Sequence, residues 1–215
     1  MDPLALDCTP NPHRTEPILT AALKRICVFC GSSPGKPPHY TQAAQALGEL
    51  LAGEGIELVY GGGRVGLMGV LADAVLREGG RVHGVIPRAL VEKEVAHEGL
   101  TQRIVVDTMH QRKQQMADLC DGFMALPGGM GTFDELCEVL TWAQLGLHAK
   151  PVGLLNARGY FGGFLAQLEH AVEERLLRPE HRALLLVAEA PADLLGLMRR
   201  YRPRGVQKWI DRDDV

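Results

Sequence analysis

The sequence predicts a doubly wound α/β fold, a mostly parallel sheet of about seven strands with helices on both faces. Three observations predict it. Short apolar runs alternate with longer runs at helical spacing from Arg25 to Tyr201. The short runs are nearly continuously apolar, as strands are when both faces are covered. Small-residue loops follow three of them, where such sheets bind ligands.

In chain order, the strand candidates are Arg25–Cys30, Ile56–Tyr60, Arg81–Ile86, Arg103–Val106, Gly122–Leu126, Val152–Leu155 and Leu184–Val187. Each is rich in valine, isoleucine or leucine and ends near glycine, proline or polar residues. The helix candidates between them are Tyr40–Ala52, Leu67–Arg77, Met109–Cys120, Phe133–Leu147, Phe161–Glu174 and Ala192–Tyr201. In the run from Phe133, Leu136, Val139, Leu140 and Ala143 fall on one helical face. This arrangement is Rossmann-like. Residues 1–24 contain prolines and no periodicity and read as an extension, expected to be disordered; 25–202 read as a single nucleotide-binding α/β domain and 203–215 as a tail.

Composition narrows the function. Apolar residues make up 46% and charged residues 23%, ordinary for a globular protein. A net charge of −3 without a basic block argues against a nucleic-acid polymer as partner. There is neither a signal-type segment at Met1–Asp7 nor an apolar run near the roughly 20 residues that span a bilayer, so a cytoplasmic location and no membrane partner are expected. The five cysteines lack framework spacing. Cys27 and Cys30 match C-x-x-C, but within a strand they point to opposite faces and read as buried apolar residues. The eight histidines show no metal-ligand spacing, and no metal is expected.

The most informative stretch is Leu126-Pro127-Gly128-Gly129-Met130-Gly131-Thr132-Phe133-Asp134-Glu135. A glycine-rich turn between a strand and a helix brings free N–H groups and a helix N-terminus together, which favours an anion such as phosphate. Glu135 then arrives in the first helical turn, beside the anion and ill-suited to touching it, which suggests a chemical role. Thr132-x-x-Glu135 also fits a capping box, in which both side chains satisfy the helix start. Three glycines in four positions exceed what a helix start requires.

Gly61-x-Gly63-x-x-Gly66 matches the dinucleotide pattern. The acid expected at the end of the next strand is missing, since that strand ends Val85-Ile86-Pro87-Arg88, and the pattern follows the second strand rather than the first. Close backbone packing against a helix or ligand is the better reading. In Met109-His110-Gln111-Arg112-Lys113, two cations open a helix against its dipole. Arg112 can hold a phosphate or carboxylate through paired hydrogen bonds. His110 reads as structural, and Lys113 by itself as part of a solvated turn.

Together these motifs resemble the LOG ("Lonely Guy") family of cytokinin riboside 5′-monophosphate phosphoribohydrolases, often mislabelled lysine decarboxylases. Every fixed position of its PGGxGTxxE pattern is met by Pro127–Glu135. Gly31-Ser32-Ser33, Tyr60–Gly63, Gly66–Gly69, Thr141–Gly146 and Lys150–Asn156 extend the resemblance from about Arg25 to about Leu197. Met130 and Asp134 stand where tyrosine and glutamate are frequent. The resemblance implies hydrolysis of the N-glycosidic bond of AMP or an N6-substituted AMP, releasing the base and ribose 5-phosphate without a cofactor. It makes Arg112 and Glu135 the catalytic residues. It assigns substrate binding to Glu94, Lys113, Thr141 and the loop Gly128, Gly129, Met130, Gly131, Thr132, Phe133 and Asp134, and we add Ser33 from the loop after the first strand. It also implies a homodimer. The alternative is a non-catalytic nucleotide carrier or molybdenum-cofactor carrier. Decarboxylation would require a lysine-bound pyridoxal phosphate, and no lysine here has a supporting motif.

Overall fold

The computed structural model describes residues 22–36, 38–91 and 96–203. Residues 1–21 of the expected extension, residues 204–215 of the expected tail, and Glu94 lie outside the described residues. The seven strands are β1 Arg25–Phe29, β2 Glu57–Tyr60, β3 Val82–Pro87, β4 Gln102–Val106, β5 Gly122–Ala125, β6 Val152–Leu155 and β7 Leu185–Ala188. They form one sheet in the order β4-β3-β2-β1-β5-β6-β7, and every pairing is parallel. Each strand lies within one residue of its predicted bounds, because nearly continuous apolar runs leave little freedom in placing a doubly covered strand.

The helices are α1 Pro38–Gly53, α2 Gly66–Arg77, α3 Arg88–Val91, α4 Met109–Leu119, α5 Met130–Gln144, α6 Gly162–Glu173, α7 Pro179–Arg182 and α8 Pro191–Arg200. The single-turn helices α3 and α7 are too short for periodicity to reveal. Two cores result, one per sheet face. Ile26, Val28 and Cys30 pack with α1, α2 and α8 through Leu47, Leu71 and Leu194. Cys27 and Phe29 pack with α4 and α5 through Met116 and Leu136, and with Phe161 just before α6. The two cysteines therefore face opposite ways, and the four described ones are free thiols.

Strand order reverses between β1 and β5, so the loops after these two strands diverge into a crevice at their carboxyl ends. Helix α4 carries the chain back from edge strand β4 to β5 and packs against β3, β2 and β1. Its start therefore lies over the central strand ends, which sequence spacing alone does not show.

At the opposite end, Glu57 ties three strands together. Its carboxylate accepts from Arg25 Nε at 2.8 Å, pairs with Arg81 Nε at 3.1 Å and meets His83 Nε2 at 2.8 Å. The Arg25 hydrogen bond, opposed by burial and aided by His83, holds the Glu57 carboxyl below its usual range. Glu57→Gln is expected to cost about 1 kcal/mol in urea melts at pH 7, because its arginine partners are solvent-screened. A lowered folded-state value means this stabilisation is complete above the unfolded value of about 4.3. It fades as pH falls through the folded value, so the two proteins should converge in strongly acid solution.

Candidate active site

The crevice is built on backbone contact. Gly31 N–H donates to Pro127 O at 3.0 Å, and a Cβ on Gly31 would lie 3.2 Å from Gly128 Cα. A Cβ on Gly128 would collide with Thr132 Oγ1 and lie 2.9 Å from Gly31 N. Leu67 N–H donates to Gly31 O at 3.0 Å, bringing the start of α2 to the same point. Gly62 (φ 74°) and Gly66 (φ 60°) hold left-handed backbone, and a Cβ on Gly66 would run into the Ser32 backbone. The Gly61–Gly66 run thus serves close packing, as expected.

Helix α5 begins at Met130, three residues before the predicted Phe133, and this corrects the capping-box reading. Gly129 stands before the helix, extended, with no side-chain cap. Thr132 lies inside the first turn, 3% exposed beneath Gly128, and Glu135 falls in the second turn. The glycines let the helix start earlier, because Gly128 leaves room for the Thr132 hydroxyl below it. The first bond into the helix is Phe133 N–H to Gly129 O at 3.1 Å, with the N–H groups of Met130, Gly131 and Thr132 ahead of it. An uncapped N-terminus of this kind suits an anion. By contrast α4 is capped by a full box, Thr108 with Gln111.

A cavity of about 310 Å³ opens in front of this turn, lined by Gly31, Ser32, Ser33, Tyr40, Gly128, Gly129 and Tyr160 among others. That volume is at the low end of small-ligand pockets, about 300–1,000 Å³. Tyr160 Oη donates to Gly128 O at 2.6 Å and its ring meets Tyr40 edge-on, 5.4 Å between centroids. Ser33 Oγ accepts from Gly35 N–H at 3.4 Å.

Arg112 and Glu135 come together from α4 and α5, with Nη1 3.2 Å from Oε1 and both side chains about nine-tenths buried (11% and 10% exposed). The pair is not in the cavity wall. Arg112 Nε donates to Val85 O at 3.2 Å. Burial raises the Glu135 carboxyl above its usual range, Arg112 opposes that rise, and Asp134 and Glu138 add to it. A carboxylate poised this way suits proton transfer or stabilisation of a nearby positive charge.

Lys113 Nζ lies between Asp134 Oδ2 at 3.2 Å and Glu138 Oε1 at 3.0 Å. Burial pulls its pKa down, and the two carboxylates more than offset this, so the net shift is upward. Lys113 is therefore a held cation beside the pair, not a solvated turn residue. Met130 is 84% exposed at the mouth of the turn, and Gly131 and Asp134 are exposed beside it. Phe133 packs on Phe161 and Phe164. Thr141 sits two turns further along α5, exposed, with its hydroxyl donating to Cys137 O at 2.8 Å. Together with Cys137 and His181 it lines a separate hollow between α5, α6 and α7. His110 is exposed on the first turn of α4. The segment just after Glu94 is tied to the glycine run, since Ala96 bridges Gly63 and His97 N–H donates to Gly62 O.

Three participants escaped sequence reasoning. Glu138, with Oε2 buried and unpartnered among the described residues, was signalled only by three carboxylates within five positions. Tyr160 lies 32 residues from its partner Gly128, and no spacing rule connects them. The Val85 carbonyl carries no sequence signal at all.

A family model described as "possible lysine decarboxylase" matches residues 68–198. The probable cytokinin riboside 5′-monophosphate phosphoribohydrolase LOGL6 of Oryza sativa subsp. japonica is 49% identical over 187 residues, covering 87% of this chain and 75% of its own. The chain belongs to the LOG family. The cytokinin riboside 5′-monophosphate phosphoribohydrolase LOG7 of Arabidopsis thaliana is likewise 49% identical, over 84% of this chain and 83% of its own. Among solved structures, the molybdenum cofactor binding protein of Rippkaea orientalis superimposes with a TM-score of 0.64 at 23% identity, covering 83% of this chain and 97% of that one. At that identity the likeness extends to the fold alone.

In this LOG-family chain the Arg112 guanidinium is the main charge opposing the rise of the Glu135 carboxyl. Arg112→Ala is therefore expected to move the Glu135 pKa further up, read by NMR titration of labelled glutamate. An unchanged titration would mean that the 3.2 Å pair is not electrostatically coupled.

Proposed function

We propose that the chain hydrolyses the N-glycosidic bond of a nucleoside 5′-monophosphate, AMP or an N6-substituted AMP, to free base and ribose 5-phosphate. The observation that carries this reading is the buried Arg112–Glu135 pair standing one helical turn from an uncapped anion turn. LOG relatives named as phosphoribohydrolases support it.

Phosphate held by the N–H groups after Gly129 anchors the ribose, and that binding energy positions the glycosidic bond. As the C1′–N9 bond lengthens, the ribose gains oxocarbenium character and the base takes the bonding electrons. The Glu135 carboxylate stabilises the cation and accepts a proton from the water that attacks C1′. The departing base takes up one proton from solvent and leaves neutral, and Glu135 returns the proton it took from water to solvent, so the protons balance. Arg112 orients Glu135 and opposes the rise that burial imposes on its carboxyl. Lys113, Ser33 and Glu94 are proposed to complete substrate recognition and Met130 to border the base, whereas Thr141, in its separate hollow, is left out of it. All the chemistry in this scheme is supplied by side chains, water and substrate.

We also propose a homodimer. Leu145 and Leu147, 52% and 70% exposed just after α5, leave an apolar patch that a second copy would cover. Light scattering should give twice the 23.4 kDa chain mass, and a monomer at micromolar concentration would refute this.

Purified protein given AMP and, separately, isopentenyladenosine monophosphate should release free base, and the faster substrate identifies the preferred base. Tight nucleotide binding without release from either would favour the carrier reading. Glu135→Gln should lower kcat by at least about 100-fold, as loss of a charge-stabilising group does, while AMP binding changes little. Near wild-type turnover in that variant would remove Glu135 from the chemistry.

A further inference from the structure

The first glycine of Gly61-x-Gly63-x-x-Gly66 has a role of its own. Gly62 and Gly66 are left-handed, but Gly61 is not among the positive-φ glycines, so its backbone suits any residue. Space is what excludes a side chain there. A Cβ built on Gly61 would collide with Arg112 Nη2 and lie only 2.9 Å from Cζ and 3.4 Å from Nε. The guanidinium thus points its Nη2 end at the Cα of Gly61, the residue just after β2.

Two further contacts hold the same group, Nε to Val85 O within β3 and Nη1 to Glu135 in the second turn of α5, both at 3.2 Å. These lengths lie at the outer edge of the hydrogen-bonding range. A methyl group at residue 61 needs about 3.5 Å to its neighbours. It would push the guanidinium back on the order of 1 Å or more, and neither 3.2 Å contact survives such a withdrawal. We infer that Gly61 is a positioning residue: the missing side chain just after β2 is the seat from which Arg112 faces Glu135. This rests on reading Arg112 and Glu135 as the reacting pair. It also explains why a dinucleotide-like glycine run occurs without a dinucleotide site, since one of its glycines serves an arginine.

The test is a cycle of four proteins, wild type, Gly61→Ala, Arg112→Ala and the double variant. Tm and base release from AMP are measured for each. Gly61→Ala should lose about 100-fold in kcat, the scale expected for a 1 Å misplacement, with a smaller change in KM. It should also lower Tm. In the Arg112→Ala background the same substitution should cost no further activity, and the double variant should melt above Gly61→Ala, because the colliding group is gone. Withdrawal of Arg112 also removes the charge that opposes the rise of the Glu135 carboxyl. The acidic limb of kcat/KM should therefore move to higher pH in Gly61→Ala, whereas a purely structural defect lowers the rate equally at every pH. Wild-type kinetics in Gly61→Ala, or losses that simply add in the double variant, would overturn the inference. If the wild type releases no base from either nucleotide, the hydrolase reading fails and the Tm cycle still decides whether Gly61 seats Arg112.

Discussion

Everything at the carboxyl end of this sheet depends on backbone touching backbone at the switch point between β1 and β5. Gly31 and Gly128 approach until a single Cβ on either would crowd the other loop, and Gly66 presses α2 against the Ser32 backbone. Only residues without side chains allow this approach. Two hydrogen bonds lock it, Gly31 N–H to Pro127 O and Leu67 N–H to Gly31 O. Crowding fixes the path of the two loops and with it the direction of the N–H groups at the start of α5. A site assembled this way loses little freedom on binding an anion, which is the advantage of preorganisation.

The same economy of side chains permits a buried ion pair. Arg112 and Glu135 are both about nine-tenths buried, an arrangement that costs desolvation and stabilises a fold weakly. The raised Glu135 carboxyl records that cost, with burial outweighing the neighbouring guanidinium. Around it lies a second layer of charge, Lys113 held between Asp134 and Glu138. Charges gathered in a small, largely buried volume between α4 and α5 stabilise a fold weakly. Glu57 makes the contrast at the far end of the sheet. There a partly exposed carboxylate meets three basic side chains and sits below its usual range, as a structural ion cluster should.

Legibility in the sequence followed the range of the forces involved. The strands were readable because burial on two faces writes a continuous apolar run, and Val152–Leu155 was placed to the residue. The start of α5 was misread because Thr132-x-x-Glu135 obeys a local capping rule. The tertiary contact of the Thr132 hydroxyl under Gly128 overrode that rule. The true capping box, Thr108 with Gln111, was missed although it lies in the adjacent motif. Thr141 matched the family by position, yet its hydroxyl serves its own helix and faces a different hollow from Ser33.

By itself the sequence determined the layered parallel fold and the glycine-rich turn after β5, and it singled out two opposed charges, Arg112 and Glu135, through motif order and family resemblance. Periodicity, glycine content and motif order are properties of neighbouring residues. Only the tertiary structure decided that Arg112 crosses back over the sheet on α4, rests on Gly61 and Val85, and meets Glu135. It also decided that Tyr160 grips the turn through Gly128. Such contacts join residues tens of positions apart, and their partners are a backbone carbonyl or an empty space, neither of which any residue letter encodes.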